Sequence, residues 1–188
     1  MLEKLSYYIS TYIKNHSSVL GTNDFLKLNY AIQVILNNVI VMFFLCVFFC
    51  MFNKLVLFML SLLILTSLRP FIGGVHCASI FGCTLLTIMH FSIIVFFSDK
   101  VYISNSYIYF VIFLISFILV LIYSPLPNKK RPVKNLIKLK TISLISLSFW
   151  IIIFFCIKSP SIKNSIVLSV ILQIIQIIIV KVEECFYE

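Results

Sequence analysis

Leu55-Val56-Leu57-Phe58-Met59-Leu60-Ser61-Leu62-Leu63-Ile64-Leu65-Thr66-Ser67-Leu68 is an apolar run that leads directly into Arg69-Pro70-Phe71-Ile72-Gly73-Gly74-Val75-His76. As a helix these 14 residues would measure about 21 Å, against roughly 30 Å of hydrocarbon in a bilayer. The run therefore thins the bilayer or dips in as part of a re-entrant structure, and its reading sets the parity of the whole topology.

The windows around it are longer. Residues 31–52, 78–97, 103–123, 141–157 and 164–182 are each apolar enough and long enough to cross. Of 188 residues 62% are apolar and 11% charged, and the mean hydropathy is +1.13, well beyond a globular composition. The expected fold class is all-α: a polytopic integral membrane protein with five or six membrane segments, one short or re-entrant. It is a single membrane domain over 1–188.

Basic residues orient it. If the window at 31–52 runs outward and the short segment returns, 11 of the 15 basic residues fall on one side, leaving Lys54, Lys100, Lys158 and Lys163 on the other. The positive-inside rule then makes the basic-rich side, with both termini, cytoplasmic. A formal charge of +9 fits anionic lipid headgroups or an acidic peptide partner. No recognition motif for nucleic acid accompanies it.

Residues 1–21 are too polar for a signal peptide. Leu2, Leu5, Ile9, Tyr12, Ile13 and His16 recur at helical spacing, which predicts an amphipathic helix lying in the interface. Gly21 stops it, and Thr22, Asn23 and Asp24 offer an N-cap for the next helix. Asn37 and Asn38 inside the first span are read as helix-helix hydrogen-bonding groups. Cys46, Cys50, Cys156 and Cys185 form no secreted disulfide framework.

Arg69, Gly73, Gly74, His76, Cys77, Ser79 and Cys83 stand together between two hydrophobic stretches, where ionisable groups are expensive and mark function. A zinc site lacks paired CxxC spacing and a fourth ligand; neither metal nor cofactor is called for. A Cys-His pair suffices for nucleophilic catalysis, because imidazole takes the thiol proton and later returns it to the leaving amine. An unbroken helix cannot form this dyad, since seven residues rise about 10.5 Å. Either Gly73, Gly74 and Gly82 permit a broken backbone, with Ser79 as N-cap and Cys83 in the first turns of the following helix, or His76 of one subunit meets Cys83 of another.

Arg69, Gly73-Gly74-Val75-His76 with Cys83 seven residues on, then Tyr123-Ser124-Pro125-Leu126-Pro127-Asn128-Lys129-Lys130-Arg131-Pro132, resemble the accessory gene regulator B family of bacterial membrane cysteine endopeptidases. The resemblance covers most of the chain. It implies cleavage of a small quorum-sensing propeptide through an acyl-enzyme, which a propeptide cysteine attacks to close a thiolactone ring. It assigns Cys83 as nucleophile and His76 as general base, in a catalytic region over 69–83. Arg69, Gly74, Pro125 and Pro127 match the surrounding pattern, the two prolines in the basic cytoplasmic loop 124–140. It also implies a homodimer in a bacterial cell membrane.

Arg69 and Ser79 are candidates for orienting or electrostatic roles. Lys129, Lys130 and Arg131 either dock an acidic part of the propeptide or anchor the cytoplasmic side. His90 is expected to pack against a neighbouring helix. The competing class is a small membrane transporter or peptide exporter whose broken helix lines a pathway; such a protein should survive Cys83→Ala.

Overall fold

The computed structural model describes residues 2–16, 21–75, 80–101, 106–126 and 135–187. Among them run α1 (Leu2–His16), α2 (Thr22–Met51), α3 (Leu55–Ile72), α4 (Ile80–Phe97), α5 (Ser106–Tyr123), α6 (Leu136–Cys156) and α7 (Pro160–Tyr187), with no strand. Helices α2, α3, α5, α6 and α7 are long and apolar enough to cross a membrane, so the fold is all-helical and multi-pass.

Residues 55–68 belong to a longer helix than the apolar run suggests: α3 continues through Arg69 and Pro70 to Ile72, 18 residues in all, about 27 Å of helix. A charged residue ends an apolar window but not a helix. Pro70 falls in the last turn, where its missing N–H removes one bond at the helix end. What ends α3 is Gly73, whose φ of 94° no L side chain adopts cheaply. Helix α4, within the window 78–97, is described over the 18 residues Ile80–Phe97.

The bundle has two distinct ends. At one, Lys54 in the short α2–α3 turn pairs with Asp99 after α4, and Asn164 of α7 donates to the carbonyls of Ser98 and Val101 at 2.8 and 2.6 Å. Lys100, Lys158 and Lys163 belong to the same end. At the other, Leu126 in the α5–α6 link donates its N–H to the Ile72 carbonyl at 2.9 Å. Beside it the Ser124 and Ser143 hydroxyls meet at 2.9 Å.

Helix α3 lies at the centre because it belongs to both apolar clusters. Ile64, Leu68 and Ile72 pack with Phe113, Trp150, Phe154 and Ile174 from α5, α6 and α7. Its other side packs Leu57, Phe58 and Leu65 with Phe49 of α2 and Phe91 of α4, the Phe49 and Phe58 rings stacked at 5.0 Å. Polar bonds cross the same contacts: Trp150 donates its ring N–H to Ser67 Oγ at 2.7 Å, and Ser146 donates to the Ser67 carbonyl at 2.9 Å. Within a bilayer, where lipid tails compete for apolar surface, such small-residue and polar contacts hold helices together.

Helix α1 forms as expected, but the face it packs is not the apolar one. Ser6 and Ser10 are its buried residues, and Ser10 donates to Asn29 of α2 at 3.2 Å. Leu5, Tyr12 and Ile13 are exposed. Two small side chains let α1 approach α2 closely and leave its apolar side for lipid. The N-cap of α2 is Gly21, in extended geometry with no side-chain cap bond; Thr22, expected as a cap, lies inside the helix. Asn37 does join helices, donating to Thr84 of α4 at 2.9 Å, whereas Asn38 is exposed on the outer face of α2.

Candidate active site

Three successive residues at the end of α3 are each gripped. The Gly73 N–H donates to the Arg69 carbonyl at 2.9 Å, and its carbonyl accepts from the Gln173 side chain of α7 at 2.6 Å. A Cβ at Gly73 would stand 2.8 Å from the Leu126 Cβ, so the α5–α6 link seals its remaining side. At Gly74 the space a Cβ would fill is taken by Gln176 Oε1 of α7, 2.6 Å away, and by Arg69 Nε at 3.3 Å. Arg69 then curls forward, and its guanidinium donates to the Val75 carbonyl at 3.1 Å.

The arginine thus binds the chain that follows its own helix. A guanidinium offers five donors in a rigid fork, and here it cross-links the last turn of α3 to the segment beyond. Burial explains why glycine occupies both positions 73 and 74: one needs a positive φ, and the other admits a glutamine amide against its backbone.

Cys83 lies on α4 and is half-buried. Thr84 beside it is tied to α2 by Asn37, and the Thr87 hydroxyl donates to the Cys83 carbonyl at 2.9 Å. Gly82 lies inside α4, so the expected break involves Gly73 and Gly74 and not Gly82. One further helical face of α4 leads from Cys83 through Thr87 to His90, which is buried and meets Gln176 at 3.4 Å.

Of the expected site residues, Arg69, Gly73, Gly74 and Cys83 have been located above. His76 and Ser79 lie outside the described residues, as do Pro127, Lys129, Lys130 and Arg131. Pro125 follows Ser124 through a cis peptide bond, next to the Leu126 that covers Gly73. The residues the sequence reading missed are Gln173 and Gln176. Their signal was present: Ser165, Ser169, Gln173 and Gln176 recur at helical spacing in an otherwise apolar helix, and polar side chains on one face of a membrane helix mark a protein-facing seam.

The arrangement fixes the backbone of residues 73–75 against α7 and Arg69, and the next helix carries the Cys83 thiol. The accessory gene regulator B family model matches residues 6–177. A protein of Clostridium beijerinckii named as AgrB-like is 40% identical over 181 residues, covering 96% of this chain and 90% of that protein. No solved structure matches the chain.

Proposed function

The chain belongs to the accessory gene regulator B family, with a role in the accessory gene regulator system, and on that premise we propose that it is a membrane cysteine endopeptidase processing a small autoinducer propeptide. His76 accepts the Cys83 proton, and Cys83 Sγ bonds to the scissile carbonyl carbon. The tetrahedral oxyanion is met by N–H donors in the first turn of α4. The C–N bond then breaks as His76 returns the proton to the leaving amine, leaving a thioester on Cys83. A propeptide thiol, deprotonated by His76, attacks that thioester; the new S–C bond closes a thiolactone and Cys83 departs as thiolate. One thioester replaces another, so acyl activation survives as long as water is excluded.

The observation that carries this reading is the end of α3: the helix stops at Ile72, the chain leaves it through Gly73, Gly74 and Val75 as non-helical backbone, and Cys83 stands on the next helix, α4. An unbroken helix would hold positions 76 and 83 about 10.5 Å apart. Mixing His76→Ala with Cys83→Ala chains distinguishes pairing within a subunit from pairing between subunits: activity returns only if the dyad is shared between subunits. The site faces the cytoplasm in this reading, both termini with it. Partners are the propeptide, anionic lipid and a second copy of the chain; Lys129, Lys130 and Arg131 dock the propeptide's acidic part.

Co-expression with the small propeptide encoded beside this gene, followed by mass spectrometry, tests the function. Wild type should yield cleaved fragment and an adduct mapped to Cys83, and His76→Ala and Cys83→Ala should yield neither. Unimpaired processing by correctly inserted variants would overturn the dyad and favour the transporter.

A further inference from the structure

We propose that Gln173 and Gln176 of α7 are positioning residues for His76, fixing the Gly73–Gly74 segment from which it extends. The proposal rests on the peptidase reading above and adds a distant helix to its machinery.

Three observations support it. The first is where the glutamines act: Gln173 holds the Gly73 carbonyl at 2.6 Å, and Gln176 Oε1 fills the side-chain space of Gly74. His76 follows Gly73 by only three residues, so the direction in which the chain leaves Gly73 sets where an imidazole can be carried.

The second is what they fail to do. Gln173 is 1% exposed and Gln176 6%, yet Gln173 Oε1, Gln176 Oε1 and the neighbouring His90 Nε2 find no hydrogen-bond partner among the described residues. A buried polar atom left unpaired costs about 1–3 kcal/mol. Methionine or leucine would fill the same volume without that cost, so packing alone does not account for glutamine at either position.

The third is that, among the described residues, no other group supports the Gly73 carbonyl. Arg69 braces Val75 and Leu126 braces Ile72, but the bond to the carbonyl of the left-handed residue itself comes from α7. Without it the peptide plane between Gly73 and Gly74 can rotate, because neither flanking residue has a side chain to resist. Displacements of about 1 Å at a reacting group can lower rates about a hundredfold.

Gln173→Met and Gln176→Met keep length and remove the amide. In full-length protein reconstituted in lipid nanodiscs, each should melt no lower than wild type while the propeptide kcat falls by about tenfold or more and KM stays within about twofold. Alkylation of Cys83 by iodoacetamide at neutral pH, followed by peptide mapping, should slow toward the His76→Ala rate. Wild-type kcat and alkylation in both variants would overturn the proposal. A purely structural role would lower the melting temperature without separating kcat from KM, and that result would overturn it as well.

Failure of the underlying reading has a different signature: His76→Ala would alkylate at Cys83 as fast as wild type. Hydrogen exchange at Gly74 and Val75 then isolates the anchor, because faster exchange in Gln173→Met than in wild type supports the backbone clamp, and equal exchange overturns it.

Discussion

Helices α2 and α7 are both apolar enough to cross a membrane, yet they are built in opposite senses. Half of the apolar window of α7 is buried inside the protein, against 11% for α2. The buried positions of α7 carry a polar row, Asn164, Ser165, Ser169, Gln173 and Gln176, beside the apolar Ile166, Val167, Val170, Ile174 and Ile177. The exposed face of α2 is apolar, carrying Ile35, Val39, Phe43, Phe44 and Val47. In lipid this is the arrangement physics favours, because aliphatic side chains gain nothing by leaving hydrocarbon, whereas polar ones must find each other. Sequence hydropathy reads both helices alike; only the placement of a few polar side chains separates the helix that supports the site from the one that faces the bilayer.

The comparison can be broken most severely at the contact between α7 and the α3 terminus. Gly74→Ala inserts a Cβ 2.6 Å from Gln176 Oε1 and 3.3 Å from Arg69 Nε. Both are ends of flexible side chains, so the fold should survive while propeptide cleavage falls about a hundredfold, measured as the initial rate of fragment release. Retention of the wild-type rate would detach α7 from the site.

Next in size, Asn164→Leu removes donors to the carbonyls of Ser98 and Val101 and an acceptor for Tyr109. Because carbonyls stay behind in a buried setting, the loss should be about 2 kcal/mol, read as a lowered midpoint in denaturation from mixed micelles. Asn37→Ala, which breaks a single bond between side chains of α2 and α4, should cost only about 0.6 kcal/mol in the same assay. At the bottom of the scale, Phe43→Leu or Phe44→Leu on the exposed face of α2 should stay within about 0.5 kcal/mol of wild type. A larger loss there would mean that protein, and not lipid, covers that face.

Much of the fold was legible because crossing a membrane demands long apolar runs, and those are a property of sequence alone. The helix boundaries were less so. Arg69 and Pro70 look like an ending, but the end came from a glycine backbone angle three and four residues later, and 55–68 became a full-length helix. Gly21 was read correctly as a break and incorrectly as leaving the cap to Thr22. On α1 the periodicity correctly gave an amphipathic helix. Its packing partner was not legible, since close approach depended on Ser6 and Ser10 and not on the apolar side chains that define the pattern.

For the candidate site, Arg69, Gly73 and Gly74 stand out in the sequence, and the structure draws these three together at the end of α3, with Cys83 on the helix that follows. Gln173 and Gln176 do not stand out, because nothing near them in sequence is ionisable or nucleophilic. Their importance lies in a contact made across the bundle, and a contact across the bundle leaves only a faint periodic trace along one helix.

The bond from Gln173 to Gly73 joins residues 100 positions apart, which gives the site an order of birth. A ribosome adding about 5–20 residues each second releases the glycine turn and the Cys83 thiol roughly 5–20 s before the glutamine exists. Throughout that interval the nascent chain carries its thiol into the membrane beside a turn whose final clamp has yet to be synthesised. Translation itself therefore acts as a timer, and the last helix to be made is the one that closes it.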